Sequence, residues 1–187
     1  PEDFLALIGS TSESNATLHE TSSADDLLTM ESEKRAFSTR ILIPAIGIDS
    51  GVKELELLFF SGGTKWETPK HVVGHVPSTA APGDQGQGWY LGHLQSPFRT
   101  EGNVFSNLPK IPYLLNRGEL IDVFLEVEGR RYQYQVYHTE VIEAEDLKIT
   151  HSGQQDITLV TCYPRLTYDK RLLVTAALVD VTDIESS

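Results

Sequence analysis

TLVTCYPRLTYDKRLLVTA, residues 158–176, holds the only cysteine of the chain, Cys162, between two runs of strand-forming residues. Thr, Leu and Val up to Cys162 fit a pleated, half-buried strand. Tyr163-Pro164 breaks that character, and a second run opens at Arg171. Paired as an antiparallel hairpin, the end of one run lies beside the start of the next. Cys162 and Arg171 then become neighbours across the loop 163–170. A free cysteine usually packs as a small buried hydrophobe. A guanidinium beside it gives it a second use, because it favours the thiolate and offers fixed donors to a developing oxyanion. The stretch leaves both readings open.

The runs around it are of the same kind. RILIPAIGI (40–48), HVVGHV (71–76), GWYLGH (88–93), ELIDVFLEV (119–127), RYQYQVYHTEVI (131–142), DITLVTC (156–162) and RLLVTAALV (171–179) are short and rich in Val, Ile, Leu, Thr and Tyr. Gly, Pro, Asn and Asp separate them. EVEGRRYQY reads as a hairpin turning at Gly129. SPFRTEGNVFSNLPKIPYLL, with three prolines, allows short helical turns at most. Many short strands without regular helices between them predict a mainly β fold, a barrel or sandwich.

A chain of 187 residues suits one domain with an appendage. Residues 1–38 form the appendage, and 39–187 the domain. The first segment is dominated by Ser, Thr, Asp and Glu, and its eight acids against Lys34 and Arg35 carry half of the chain's net charge of −12. It reads as a polar linker. Ser23 is placed to cap a short helix that ends near Lys34 and Arg35, with Leu27, Leu28 and Met30 as a small apolar face. Asn15-Ala16-Thr17 matches a glycosylation triplet, a pattern that chance readily supplies. A charge of −12 repels phosphate backbones and anionic lipid. The longest apolar runs, such as LELLFF at 55–60, are too short to span a bilayer.

Several chemistries lack their residues. The sequence has no G-x-S-x-G elbow and no phosphate-binding G-x-x-x-x-G-K-[ST] loop. GDQGQGWYLGH has Leu91 where a dinucleotide fingerprint needs its last glycine. His71 and His75 have a helical metal spacing, but Pro69, Gly74 and Pro77 make poor helix and no cysteine or acid completes a site. No metal or cofactor is called for. Among His19, His71, His75, His93, His138 and His151, the best placed partner for Cys162 is His93, which ends a strand run and opens into a long loop.

Three pieces, in order, resemble the sortase family: RILIPAIGIDSGV (40–52), WETPKHVVGHVPSTAAPGDQGQGWYLGH (66–93), and TLVTC (158–162) followed by Arg-Leu-Leu-Val (171–174). The likeness runs over roughly residues 40–180. It implies a closed sortase β-barrel with short helices or 3-10 turns, and a cysteine transpeptidase that cleaves a C-terminal Leu-Pro-x-Thr-Gly-like sorting signal. Carried over, Cys162 is the nucleophile, His93 the acid and base, and Arg171 the oxyanion and backbone clamp. Arg165 is a rival for the clamp, and Thr161 is placed to help bind the acyl group. The implied partners are sorting-signal proteins and a cell-wall precursor or pilin amine. The implied location is the outer face of a bacterial plasma membrane, this chain being the soluble part and residues 1–38 the stalk. HVPSTAAPG and the compact loops resemble a class D/E-like branch more than class A. A cysteine protease using water as acceptor, and a non-catalytic β-barrel binding module, are the alternatives.

Overall fold

The structure is a computed structural model that describes residues 37–60, 63–67, 69–95 and 101–184. The expected short helix after Ser23, its apolar face, the Asn15 triplet and His19 lie outside the described residues. The strands are β1 (Arg40–Ile43), β2 (Ile48–Glu54), β3 (Leu57–Phe60), β4 (Gly63–Trp66), β5 (Val73–His75), β6 (Gly86–Leu91), β7 (Asp122–Val127), β8 (Arg130–Glu143), β9 (Gln155–Tyr163) and β10 (Lys170–Asp183). One short helix, α1 (Ile111–Asn116), follows a 3-10 turn at Leu108–Lys110 in the proline-bearing stretch.

Eight strands close a barrel in the order β1-β2-β5-β6-β9-β10-β8-β7, while β3 and β4 pair with each other as a separate hairpin. The pairs β2–β5 and β6–β9 are parallel and the other neighbours antiparallel. RILIPAIGI, which reads as one strand, is two: Pro44 opens a 3-10 turn and Gly47, at φ 67°, ends it. The β7–β8 hairpin turns at Glu128 and Gly129, at φ 39° and 82°, the left-handed pair that a two-residue turn needs.

Alternation along the strands builds two apolar layers. Ile41, Ile43, Tyr90, Val123, Leu125, Leu159, Leu172 and Val174 fill the barrel, closed at one end by Phe105, Leu108 and Ile111. The opposite faces of β6, β9 and β10 carry Trp89, Leu91, Val160 and Leu173. These form a second layer outside the barrel, covered by Leu55, Trp66, Leu147 and Ile149. Gly74 is required there, because a Cβ at that position would overlap the Leu55 side chain.

His75 belongs to the interior. It is 0 % exposed, stacks at 4.8 Å on Tyr90, and is held at both ring nitrogens. Nε2 donates to the Ala80 carbonyl at 3.1 Å, and Nδ1 lies 2.6 Å from Glu54 Oε1. The ring thus ties the Glu54 side chain on β2 to the turn after β5. Thr79 ties the same turn down, donating to the Val76 carbonyl at 2.7 Å and accepting from the Trp89 N–H at 3.0 Å. His75→Ala removes a packed ring and strands Glu54, so it should cost about 2–4 kcal/mol. Urea unfolding at neutral pH checks this; a midpoint unchanged from the parent contradicts it.

Candidate active site

The β9–β10 ladder sets Arg171 directly opposite Cys162, as the hairpin reading of 158–176 expects. Directly paired residues project from the same face of a sheet, so both belong to the outer face with Val160 and Leu173. On the other side of β9, Leu91 pairs with Val160 in parallel. Two contacts continue that ladder past the end of β6. The Gly92 N–H donates to the Val160 carbonyl at 3.1 Å, and Thr161 Oγ1 donates to the Gly92 carbonyl at 2.8 Å. A Cβ on Gly92 would lie 2.5 Å from the Phe105 ring, inside the barrel, so Gly92 faces inward and His93 outward. His93, Cys162 and Arg171 thus stand in one row over three adjacent strands, each about 4.8 Å from the next along the sheet.

Each member is held differently. Arg171 is 6 % exposed and its Nη1 donates to the Tyr168 and Lys170 carbonyls, both at 2.9 Å. The loop that separates it from Cys162 therefore fixes its guanidinium. His93 has a side chain 14 % exposed, with Nε2 3.8 Å from Glu101 Oε2. The His93 carbonyl accepts the Phe105 N–H at 2.9 Å, so the loop 101–107 is clamped over the strand end. Glu101 also accepts the His71 N–H on its carbonyl at 2.9 Å. Thr161 is 0 % exposed, its hydroxyl engaged with the backbone just before His93. Arg165, exposed in the loop, reaches away to the Ser106 carbonyl at 3.1 Å.

The electrostatics follow from burial. Burial pushes the Cys162 thiol up to about 11, with Arg171 pulling the other way. Burial likewise holds His93 below the ordinary imidazole range, against the pull of Glu101 and with a smaller push from His71. At neutral pH the pair rests as thiol and neutral imidazole. Desolvation outweighs the neighbouring charge at both groups.

The family model of the Sortase domain matches residues 41–179. The chain belongs to the sortase family. Sortases are cysteine transpeptidases, and the barrel has their fold. Similar solved structures include a lid mutant of sortase A from Corynebacterium diphtheriae, at 25% identity and TM-score 0.58, covering 75% of this chain and 69% of that one. Sortase C1 from Streptococcus agalactiae matches at 24% identity and TM-score 0.58, covering 76% and 67%. A Clostridium perfringens sortase D5 transpeptidase matches at 21% and TM-score 0.56, covering 77% and 79%. No curated protein matches the sequence significantly.

Of the other described histidines, His75 lies inside the barrel, His138 and His151 are exposed, and His71, also exposed, stands next to the row through its bond to the Glu101 carbonyl. Glu101 is the residue near the row that the sequence reading leaves out. Its only sequence signal is an acid before a glycine in the loop after His93, which is no motif.

The thiol's environment fixes a measurable sign. Iodoacetamide should alkylate native Cys162 slowly at pH 7 and about tenfold faster per pH unit up to pH 10, since only thiolate reacts. Arg171→Ala removes the charge that favours thiolate, so at each pH alkylation should slow further. A rate that is flat above pH 7, or faster in the variant, contradicts this placement.

Proposed function

We propose that this sortase cleaves a C-terminal sorting signal of the Leu-Pro-x-Thr-Gly type and transfers the acyl part to an amine, through a thioester on Cys162. The observation that carries the reading is the row of His93, Cys162 and Arg171 on one outer face, with the arginine already fixed by two carbonyls. A nucleophile, a proton shuttle and a preorganised cation are the groups that amide exchange needs.

The steps follow from the resting charges. Sγ attacks the threonyl carbonyl carbon as its proton passes to neutral His93. The oxyanion forms beside the Arg171 guanidinium, which no thiolate neutralises beforehand. The tetrahedral adduct collapses, His93 gives the proton to the leaving glycyl amine, and the acyl group stays on Sγ. An acceptor amine attacks the thioester, gives a proton to His93, and receives the acyl group as Sγ departs and recovers that proton. Thr161 contributes through the Gly92 carbonyl, which sets the backbone that presents His93.

In this reading residues 39–187 are the catalytic unit, residues 1–38 a stalk, and the site works at the outer face of a bacterial plasma membrane. Its substrates are sorting-signal proteins, and its acceptor is a cell-wall precursor or a pilin amine. No helix among the described residues is long and apolar enough to cross a membrane.

Incubation with a Leu-Pro-x-Thr-Gly peptide and an amine, followed by mass spectrometry, should report amide exchange. Hydrolysis alone would move the assignment to a thiol protease, and an unchanged peptide to a binding module. Cys162→Ala should abolish cleavage and His93→Ala should lower turnover by orders of magnitude. Arg171→Lys keeps the charge but loses the planar fork, and should cost roughly 10²-fold. Arg165→Lys should change turnover little; the reverse ranking makes Arg165 the clamp.

A further inference from the structure

The hairpin β3–β4 is not accounted for by the barrel or by the row of reacting groups. Its two strands pair only with each other among the described residues, so each offers a free edge. A two-stranded sheet is marginal on its own. This one is fastened at its root. The Glu67 N–H donates to the Glu56 carbonyl at 2.8 Å, Lys53 Nζ lies 2.8 Å from Glu67 Oε1, and Trp66 packs on the outer apolar layer. Beyond the root, β3 carries apolar side chains into water: Leu57, Leu58 and Phe59 are 37 %, 41 % and 80 % exposed. Three consecutive large apolar residues on a strand with a free edge form a template for another extended chain.

The hairpin is also continuous with the row. Trp66 packs on the layer that holds Val160 and Leu173, each two residues from Cys162 and Arg171 on the same face, about 7 Å along the strands. Phe59 lies two residues beyond Leu57, which faces Trp66, adding about 7 Å more. With about 5 Å more for each sideways step, from the layer to Trp66 and from Trp66 to Leu57, an extended chain covers the path in roughly four to seven residues. We propose that the hairpin Leu57–Trp66 docks the segment of the acyl-donor polypeptide that lies four or more residues before the carbonyl attacked. That segment would bind as an extended strand with apolar side chains laid on Leu57, Leu58 and Phe59. The proposal rests on the acyl-transfer reading above, and it assigns a substrate contact outside the reacting row.

The test uses the full chain and two peptides that share the sorting signal and differ only upstream, one rich in Val and Leu and the other in Ser. The apolar peptide should show a KM roughly tenfold lower with the same kcat. Phe59→Ser and Leu58→Ser change exposed side chains, so folding is preserved. They should erase that preference while leaving turnover of the Ser-rich peptide unchanged. Binding of both labelled peptides to the Cys162→Ala chain, read by fluorescence anisotropy, should show the same preference and the same loss, whether or not cleavage is seen. Equal KM and equal binding for the two peptides overturn the proposal, as does a preference that survives Phe59→Ser. So does a dimer in sedimentation, or attachment to phospholipid vesicles, that Phe59→Ser abolishes, since the patch then serves a second copy or a lipid surface. Failure to cleave either peptide, with preferential binding intact, would instead sink the acyl-transfer reading alone.

Discussion

The register of β9 is the constraint on which the site depends. β9 is paired on both sides, in parallel to β6 and antiparallel to β10, and its two faces feed two separate apolar layers. A slip of one residue would turn Cys162 into the barrel and Thr161 out of it. Polar contacts pin the strand against that slip. Gln87 Nε2 donates to Thr158 Oγ1 at 2.7 Å, and Thr161 Oγ1 donates to the Gly92 carbonyl at 2.8 Å. Both are buried, where an unmade hydrogen bond costs about 1–3 kcal/mol. The threonines thus decide which residue of the neighbouring strand meets the thiol. His93 and Arg171 take their places from the two ladders, without needing to touch each other.

Much of this was legible because strands, turns and register are local matters. Tyr163-Pro164 and the return at Arg171 predict the hairpin, and the hairpin alone predicts the Cys162–Arg171 pairing. His93 was legible from its position at a strand end, although its place beside β9 depends on a parallel pairing that no local pattern encodes. The split of RILIPAIGI at Pro44 was missed because its apolar run continues through the proline. The hairpin β3–β4 was missed for a different reason. LELLFF reads only as an apolar run when it is not paired with the strand Gly63–Trp66 that follows it. His75 sits two residues beyond Val73 in a strand, and nothing in the sequence says that Glu54 will meet it across a parallel pair. Contacts of this kind need the closed barrel.

The barrel and its attachments divide the work along the same line. Strands β6 and β9, and β10 from Arg171 to Val174, are buried on both faces and leave the reacting row little freedom. The hairpin lies between β2 and β5 in the chain, the loop 163–170 joins β9 to β10, and both carry exposed residues. Residues that must hold an oxyanion belong on the rigid part, because donors positioned beforehand need no reorganisation as charge develops. Residues that read a polypeptide far from the bond broken belong on the attachments, where composition can change without disturbing the ladders.

The electrostatics of the row point the same way. A thiol raised from 9.0 to about 11 corresponds to a net penalty on the thiolate of about 3 kcal/mol. That penalty persists with a guanidinium on the next strand, so burial costs the thiolate more than Arg171 returns. A thiolate–guanidinium ion pair in the resting chain would bind the arginine's charge before any substrate arrived. It would stabilise the ground state as much as the transition state and leave the barrier unchanged. With Cys162 and His93 both neutral, the proposed acyl transfer would move the proton only as the new bond forms, with the fixed guanidinium not tied to a thiolate when the oxyanion develops. In the proposed reaction, the burial that makes Cys162 a poor free nucleophile also keeps the Arg171 charge from being neutralised by a thiolate before the oxyanion forms.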